Sequence, residues 1–280
     1  MALRSLVGGA IFGDVAGRGL PLTVGLHGWG RDRGDMAPVL DGLPGTTATL
    51  DLPGFGTSPP PPEPWGAADY ALRVGRAIDE LLADLAEGAG VAEAQGTEGA
   101  IGDVPVLRPP AASKAVVVGH SMGGRVAVCL AAQRPDLVGG LVLAGVPLLR
   151  APSTGKPKAA FRVARRLHRW RLVSDARMEA MRQRYGSADY RAAQGVMRQV
   201  LVRVVGESYE QQLSQIECPV AMVWGALDTA APLAMTRRAA ELIATLHDLD
   251  VVDGVGHDVH TARPDRLRQR AQAMGEDLRQ

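Results

Sequence analysis

The sequence predicts an α/β fold in which helices cover both faces of a mostly parallel sheet. Short apolar runs rich in Val and Leu alternate with longer amphipathic stretches along the 280 residues, which is the pattern typical of such a sheet. Hydrophobic residues make up 46% of the chain, enough to bury a substantial core. We therefore expect a folded globular protein.

Six strands and four helices follow from this alternation. The candidate strands are Leu22–Leu26, Thr47–Leu50, Ala115–Gly119, Gly140–Ala144, Val220–Trp224 and Asp248–Val252. The candidate helices are Ala67–Ala86, Met122–Gln133, Pro232–Ile243 and Arg263–Met274.

Two segments interrupt the alternation. Glu87–Ser113 is rich in Gly, Ala and Pro and shows no hydrophobic period, so we expect a flexible surface connection. Ala151–Gln215 has apolar residues at helical spacing, which predicts a helical cap inserted between two strands. The domains are then residues 1–150 and 216–280 for the core and residues 151–215 for the cap, whose thirteen Lys and Arg against five Asp and Glu give it a charge of +8.

Composition narrows the class of function. The net charge of +1 provides no field that would attract nucleic acid, so we expect a small-molecule substrate. Cys129 and Cys218 are too few and too far apart for a disulfide framework and are interpreted as buried small hydrophobes. The sequence has neither a signal-peptide pattern nor an apolar run long enough for a membrane span, which predicts a cytoplasmic protein of undetermined oligomeric state.

The most informative segment is Ala115-Val-Val-Val-Gly-His-Ser121-Met-Gly-Gly124. An apolar strand here runs into Gly-x-Ser-x-Gly and then into a helix, the context in which this motif exposes a nucleophilic serine. Gly119 and Gly123 lack the side chains that would collide in a sharp strand-to-helix turn. The sequence therefore predicts Ser121 as a nucleophile, whereas an ordinary serine in a Gly-rich turn is the alternative.

A second element, Leu26-His27-Gly28-Trp29-Gly30, follows an apolar strand. Acyl transfer creates an oxyanion, which two preset backbone N–H groups can stabilise. We expect these donors to be the amides of Met122, just after the nucleophile, and Trp29, whose flanking glycines let the backbone approach closely. Taken alone, the second element is also compatible with a simple strand-end turn.

A serine hydroxyl needs a base, and the base needs a group that fixes its tautomer. Asp228 follows the strand Val220–Trp224, and His257 follows the strand Asp248–Val252. The order Ser, Asp, His along the chain is the one expected for a sheet-edge site of this kind. The loop after Gly140–Ala144 contains no carboxylate, which favours Asp228 as the acid.

These motifs resemble those of the α/β-hydrolase superfamily. The resemblance rests on His27-Gly28, Asp51-Leu-Pro-Gly-Phe-Gly56, Gly-His-Ser121-Met-Gly-Gly, Trp-Gly-Ala-Leu-Asp228 and Gly-Val-Gly-His257. It implies the α/β-hydrolase fold with the cap between two strands, and a serine hydrolase that cleaves an ester or thioester through an acyl-enzyme on Ser121. It also implies that no cofactor is needed.

The same motifs occur in other classes of protein. A lyase, a C–C hydrolase or an acyltransferase can use the same triad, and a ligand-binding protein with low turnover can retain it. His260 lies three residues after His257 and is a rival base or, with His257, half of a metal site. We set both interpretations of His260 aside, because the Gly-x-Gly-His pattern points to His257 and no zinc motif accompanies the pair. His27 and His120 are interpreted as wall or turn residues.

Overall fold

The computed structural model describes residues 2–96, 113–150, 166–168, 170, 172–178 and 187–279. Within these residues the chain forms one sheet of eight strands in the order β1-β2-β4-β3-β5-β6-β7-β8. The pairs β1–β2 and β2–β4 are antiparallel, and the strands from β4 to β8 run parallel. Their carboxyl ends therefore meet at one edge of the sheet.

The strands are β1 Ala2–Leu6, β2 Ile11–Gly17, β3 Leu22–Leu26, β4 Thr46–Asp51, β5 Ala115–His120, β6 Val138–Ala144, β7 Val220–Gly225 and β8 Leu246–Val252. The described helices include α1 Ala37–Leu40, α2 Ala67–Gly96, α3 Met122–Gln133, α4 Ala188–Ala192, α5 Gly195–Gly206, α6 Glu210–Ser214, α7 Leu233–Ala240, α8 Val259–Ala262 and α9 Pro264–Asp277. Short 3₁₀ turns lie at Val7–Gly9 and Arg33–Met36. No helix in the described ranges is long and apolar enough to span a membrane.

The six predicted strands and four predicted helices are all present, with ends that differ by a few residues except at the carboxyl end of α2. The hairpin of β1 and β2 was not predicted. Most of β1 is exposed and β2 is only partly buried, since the hairpin lies at the edge of the sheet. Such strands lack the continuous apolar run that marks the buried ones.

The prediction of a flexible connection over Glu87–Ser113 is wrong for its first part, because α2 continues to Gly96. Ala and Glu are frequent in this stretch and are strong helix formers, and an existing helix extends at little cost per residue. Residues 97–112 lie outside the described residues. The described parts of the predicted cap contain α4, α5 and α6, which lie between β6 and β7 in the chain.

The core has two halves, one on each face of the sheet. In β5, Val117 belongs to the half that includes α2 and α3, whereas Val116 and Val118 belong to the half that includes α1 and α9. Because side chains alternate along a strand, a strand buried on both faces must be apolar at every position. Both cysteines are buried and free, as predicted.

A buried carboxylate joins the loops that follow β3 and β4. Asp51 ends β4, its side chain has no exposed surface, and it accepts hydrogen bonds from Arg33 (amide at 2.7 Å and Nη1 at 2.6 Å) and from Thr57 (amide at 2.8 Å and hydroxyl at 3.0 Å). Arg33 Nε also binds Asp14 on β2 at 2.9 Å. Burial opposes ionisation of Asp51, but the hydrogen bonds from Thr57 and Arg33 outweigh it and lower the pKa of the carboxyl. Asp51 is therefore a charged anchor for both loops.

The Asp51→Asn variant should lower the free energy of unfolding at pH 7 by about 3 kcal/mol, since it breaks a buried charged pair. The pKa of Asp51 is lower in the folded state, so its stabilisation is complete above the unfolded pKa of about 3.9 and is lost as the pH falls below that value. Urea unfolding at pH 7 and in acid measures the difference, which should shrink in acid. The exposed Asp41→Asn is the control, and a pH-independent difference for Asp51→Asn would contradict the prediction.

Candidate active site

Ser121 lies at the sharp turn between β5 and α3. Its φ of 49° falls in the left-handed region, which is uncommon for a residue with a side chain. A Cβ at Gly119 would lie 2.6 Å from Gly124 Cα, and a Cβ at Gly123 would lie 2.2 Å from the carbonyl oxygen of Leu26. The steric reason for these glycines is confirmed, because the turn leaves no room for side chains beside Ser121.

Ser121, His257 and Asp228 form a chain of hydrogen bonds. His257 Nε2 lies 3.0 Å from Ser121 Oγ, and His257 Nδ1 lies 2.9 Å from Asp228 Oδ2. The carboxylate can only accept, so Nδ1 carries the ring proton and Nε2 is free to accept from the serine. The structure thus brings together the three side chains that were selected from the sequence.

The loop that carries Asp228 holds the carboxylate in one orientation. Asp228 Oδ1 accepts from the amides of Ala230 and Ala231, both at 2.8 Å, and the Asp228 side chain has no exposed surface. The two oxygens of Asp228 therefore have different partners, since Oδ1 binds the loop backbone and Oδ2 faces His257. The His257 side chain remains 28% exposed, which leaves one side of the imidazole open.

The acid loop and the base loop are also bonded to each other. The amide of Leu227 donates to the carbonyl of Val255 at 2.9 Å, and the amide of Ala226 donates to Val252 at 2.9 Å. Gly145, after β6, packs against both loops, because a Cβ there would lie 2.8 Å from the His257 carbonyl oxygen and 3.4 Å from Asp228 Oδ2. The loops after β6, β7 and β8 thus form one packed unit.

The predicted oxyanion donors belong to two loops, one after β5 and one after β3. Met122 is the first residue of α3, so its amide has no acceptor within the helix. Trp29 follows β3, and its ring packs edge to face on Phe55 with centroids 4.9 Å apart. The amide of Gly123 donates to the carbonyl of His27 at 3.0 Å, which fixes the loop of Trp29 against the start of α3.

The other histidines occupy different environments. His27 is fully buried, its Nε2 accepts from the Leu52 amide at 3.0 Å, and its Nδ1 lies 2.7 Å from the Gly28 carbonyl. Burial lowers the pKa of His27, which agrees with its interpretation as a neutral wall residue. His260 binds Asp35 at 3.0 Å and stacks on His120 with ring centroids 3.7 Å apart.

The metal pair considered from the sequence was His260 with His257, whereas the group of metal-ligand atoms found among the described residues is Asp35, His120 and His260, within 4.8 Å of one another. This group was not predicted. The only available signals were the His immediately before Ser121 and the three-residue spacing of His257 and His260.

The chain after α5 is hydrogen-bonded to the residues that follow β6. The Tyr209 amide donates to the Leu148 carbonyl at 3.0 Å, and the Arg150 amide donates to Ser208 Oγ at 3.2 Å. The buried Arg125 of α3 donates to the carbonyl of Val204, near the carboxyl end of α5. A cation is favourable at that end of a helix. The contact joins α5 to the helix that begins immediately after Ser121.

Two known proteins are similar to this chain in sequence. The chain is 34% identical to an esterase of Mycobacterium tuberculosis over 139 residues, which cover 49% of this chain and 37% of that protein. It is 27% identical to the biotin biosynthesis bifunctional protein of Cellvibrio japonicus over 284 aligned positions, 92% of this chain and 48% of that protein. The chain spans less than half the length of both relatives.

The solved structure of a thermophilic esterase from Thermogutta terrifontis has the same fold, with a TM-score of 0.59 at 24% identity over 99% of this chain and 97% of that one. Residues 24–270 match the alpha/beta hydrolase family, which is most of the chain. The protein belongs to the alpha/beta hydrolase family.

Proposed function

We propose that the protein is a serine hydrolase that cleaves an ester or thioester of a small molecule through an acyl-enzyme on Ser121. The observation that carries this proposal is the continuous hydrogen-bond chain from Ser121 Oγ through His257 to Asp228. The names of the relatives from Mycobacterium tuberculosis and Thermogutta terrifontis support an ester as the substrate.

In the first half of the proposed reaction, His257 Nε2 accepts the proton of Ser121 as Oγ forms a bond to the substrate carbonyl carbon. Asp228 stabilises the imidazolium that results. The negative charge on the carbonyl oxygen is held by the amides of Met122 and Trp29, and each such donor contributes about 3 kcal/mol to lowering a barrier of this type. The leaving oxygen or sulfur takes the proton from His257 as its bond to the acyl carbon breaks.

In the second half, a water molecule gives its proton to His257 and attacks the acyl carbon. The bond to Ser121 Oγ breaks, the serine regains its proton, and a carboxylic acid leaves. A lyase or an acyltransferase would use the same three residues without this step, and a ligand-binding protein would turn over negligibly. Analysis of the products from p-nitrophenyl esters and acyl thioesters of increasing chain length distinguishes these classes and measures the depth of the pocket.

We also propose that residues 151–215 act as a cap that selects substrates. The segment starts after the carboxyl end of β6, near the sheet edge that carries Ser121, and it comes back to the same place at Tyr209, whose amide donates to the Leu148 carbonyl. The charge of +8 is consistent with solvated surface arginines or with guidance of an anionic substrate. The arginines of the stretch Arg162–Arg171 are our candidates for such guidance, although residues 162–165, 169 and 171 lie outside the described residues. Arg166 stacks on Trp170 at 5.0 Å.

A fluorophosphonate should label Ser121 covalently, because the hydroxyl is activated by His257 and lies beside preset amide donors. Peptide mapping by mass spectrometry locates the label. The Ser121→Ala variant should remain unlabelled and lose at least ~10³-fold in kcat, whereas the exposed Ser214→Ala should behave as wild type. Label on a different serine of the folded protein would refute the assignment of the nucleophile.

The Asp228→Asn variant should lose ~10⁴-fold in kcat while remaining folded. The amides of Ala230 and Ala231 both need an acceptor, so the single oxygen of the substituted side chain stays with them and its NH₂ group faces His257. His257 Nδ1 must then accept, which moves the ring proton to Nε2 and prevents that atom from accepting the serine proton. Steady-state kinetics and circular dichroism measure the two properties.

The same substitution at the exposed Asp253 of the base loop is the matched control and should leave kcat unchanged. An active Asp228→Asn enzyme would show that the tautomer of His257 does not depend on this carboxylate.

A further inference from the structure

A second cluster of ionisable side chains lies directly behind the base loop. His120 ends β5, His260 is in α8, and Asp35 is in the 3₁₀ turn Arg33–Met36. His260 has no exposed surface, His120 is 2% exposed, and the Asp35 side chain is 6% exposed. The proposed triad uses none of these residues, and buried ionisable groups are costly unless they have a role or a partner.

Asp35 fixes the orientation of His260. Asp35 Oδ2 lies 3.0 Å from His260 Nε2, and the other oxygen lies 3.5 Å from Arg31 Nη1. Burial opposes ionisation of Asp35, but its hydrogen bond and charge interaction with His260, together with the charge of Arg31, lower the pKa of the carboxyl. The ionised carboxylate can only accept, so His260 donates from Nε2.

His260 in turn supports the ring of His120. The two imidazoles are stacked with centroids 3.7 Å apart and planes inclined by 25°. Stacked rings hold their in-plane lone pairs in two nearly parallel planes, whereas a metal ion requires ligand lone pairs that converge on one point. The stacking therefore favours a packing unit of two rings over a metal site, although both Nδ1 atoms are buried and lack a hydrogen-bond partner.

His120 makes the contact with the proposed base. Its Nε2 lies 3.3 Å from the main-chain carbonyl oxygen of His257, and a carbonyl can only accept, so Nε2 carries the proton. Burial, together with the neighbouring His260 and His257, holds the pKa of His120 well below its usual range. His120 is therefore neutral, and its proton is fixed on the side that faces His257.

The Nδ1 side of the His120 ring faces the loop of the proposed oxyanion donor Trp29. A Cβ at Gly28 would lie 2.8 Å from His120 Nδ1, so a residue with a side chain at position 28 would displace the ring. The ring of His120 is thus wedged between Gly28, one residue before Trp29, and the backbone of His257. It also immediately precedes Ser121 in the chain. The side chain of His120 therefore contacts two of the loops that the proposed reaction uses and adjoins a third, the turn of Ser121.

We propose that His120, supported by His260 and Asp35, is a positioning residue that sets the distance of the His257 loop from Ser121 and from the Trp29 loop. This inference rests on the proposed function, because it assumes that His257 is the base. The sequence analysis set His260 aside as a rival base and as a metal ligand, and the inference gives it a third role, which it performs through His120.

The test compares two replacements of His120 under steady-state conditions with a p-nitrophenyl ester. His120→Phe keeps a flat ring for the stack but removes the donor, whereas His120→Gln has an NH₂ group near the position of Nε2. We expect kcat to fall ~10- to 100-fold in His120→Phe, which is typical of a displacement near 1 Å at a reacting centre, with KM unchanged. His120→Gln should recover a large part of this loss.

The pH dependence of kcat/KM distinguishes a positioning role of His120 from a role in proton transfer. Because His120 stays neutral, its replacement should lower the rate at every pH and leave the midpoint of the acid limb unchanged. Loss or displacement of that limb in His120→Phe would mean that His120 transfers a proton and would overturn the positioning role.

A second pair of variants keeps the test valid if His120→Phe does not fold. Asp35→Asn retains an oxygen that accepts from His260 and should keep most of the wild-type kcat. Asp35→Ala has no acceptor for His260, and its kcat should fall as it does in His120→Phe. The buried Val128→Ala in α3 is the control for a packing defect and should lower Tm without a matching loss of kcat.

Three results would contradict the positioning role of His120. Wild-type kcat in His120→Phe, equal losses in Asp35→Asn and Asp35→Ala, or activity that disappears with EDTA and returns with Zn²⁺ would refute it. The first two results would leave the proposed function intact, provided that the wild type turns over and Ser121→Ala does not. An inactive wild-type protein would instead contradict the proposed function itself.

Discussion

Ser121 has a left-handed backbone conformation, and a residue with a side chain in that region costs of the order of 1–3 kcal/mol that surrounding contacts must offset. The offset comes from both sides of the turn. β5 is paired with β3 and β6 along its length, and its residues Val116, Val117 and Val118 have no exposed surface. The Ser121 amide extends this pairing by donating to the Ala144 carbonyl of β6 at 3.1 Å, and on the other side the Arg125 amide of α3 donates to the Ser121 carbonyl at 3.2 Å. The strained turn persists because a buried strand and a helix hold both of its ends.

The close packing that this turn requires also links the neighbouring loops. Gly123 approaches the backbone of Leu26 so closely that its amide reaches the His27 carbonyl. His27 then reaches the Leu52 amide, next to the anchor at Asp51. Because the carboxyl ends of parallel strands lie at one edge of the sheet, these short contacts pass from β5 to β3 and from β3 to β4. The position of the Trp29 loop therefore depends on residues far from any reacting atom.

Local sequence was sufficient for the buried strands and for the three residues of the hydrogen-bond chain. β5, β6 and β7 are apolar at nearly every position, whereas β8 alternates apolar and polar residues in part. Ser121, Asp228 and His257 follow β5, β7 and β8 within a few residues, so the parallel topology alone brings them to one edge. The hairpin of β1 and β2 was missed because edge strands carry polar residues. The extension of α2 was missed because its Gly and Ala content hid a helix without a hydrophobic period.

The stack of His120 on His260, in contrast, could not be predicted from the sequence. His260 was set aside in the sequence as a rival base, since spacing along the chain does not reveal that α8 turns its side chain inward towards β5. Its partner Asp35 is 225 positions away in the sequence, and no local pattern connects the two. Contacts of this kind depend on how α8 and the 3₁₀ turn after β3 pack together, which is a property of the tertiary structure.

Under the proposed function, the residues that carry the reaction are separate from the segment that we propose selects the substrate. The side-chain hydrogen bonds of Ser121, His257 and Asp228 lie within or between loops of the core sheet. The segment between β6 and β7 meets this core at Arg125, which lies one helical turn after Ser121 and donates to the carbonyl of Val204 in α5. It also meets the core through Arg203, which donates to the Pro64 carbonyl, and Glu207, which accepts from the Ala67 amide. None of these contacts involves Ser121, His257 or Asp228. A change of substrate would then require new residues on the inserted segment but no movement of the three residues that carry the proposed reaction.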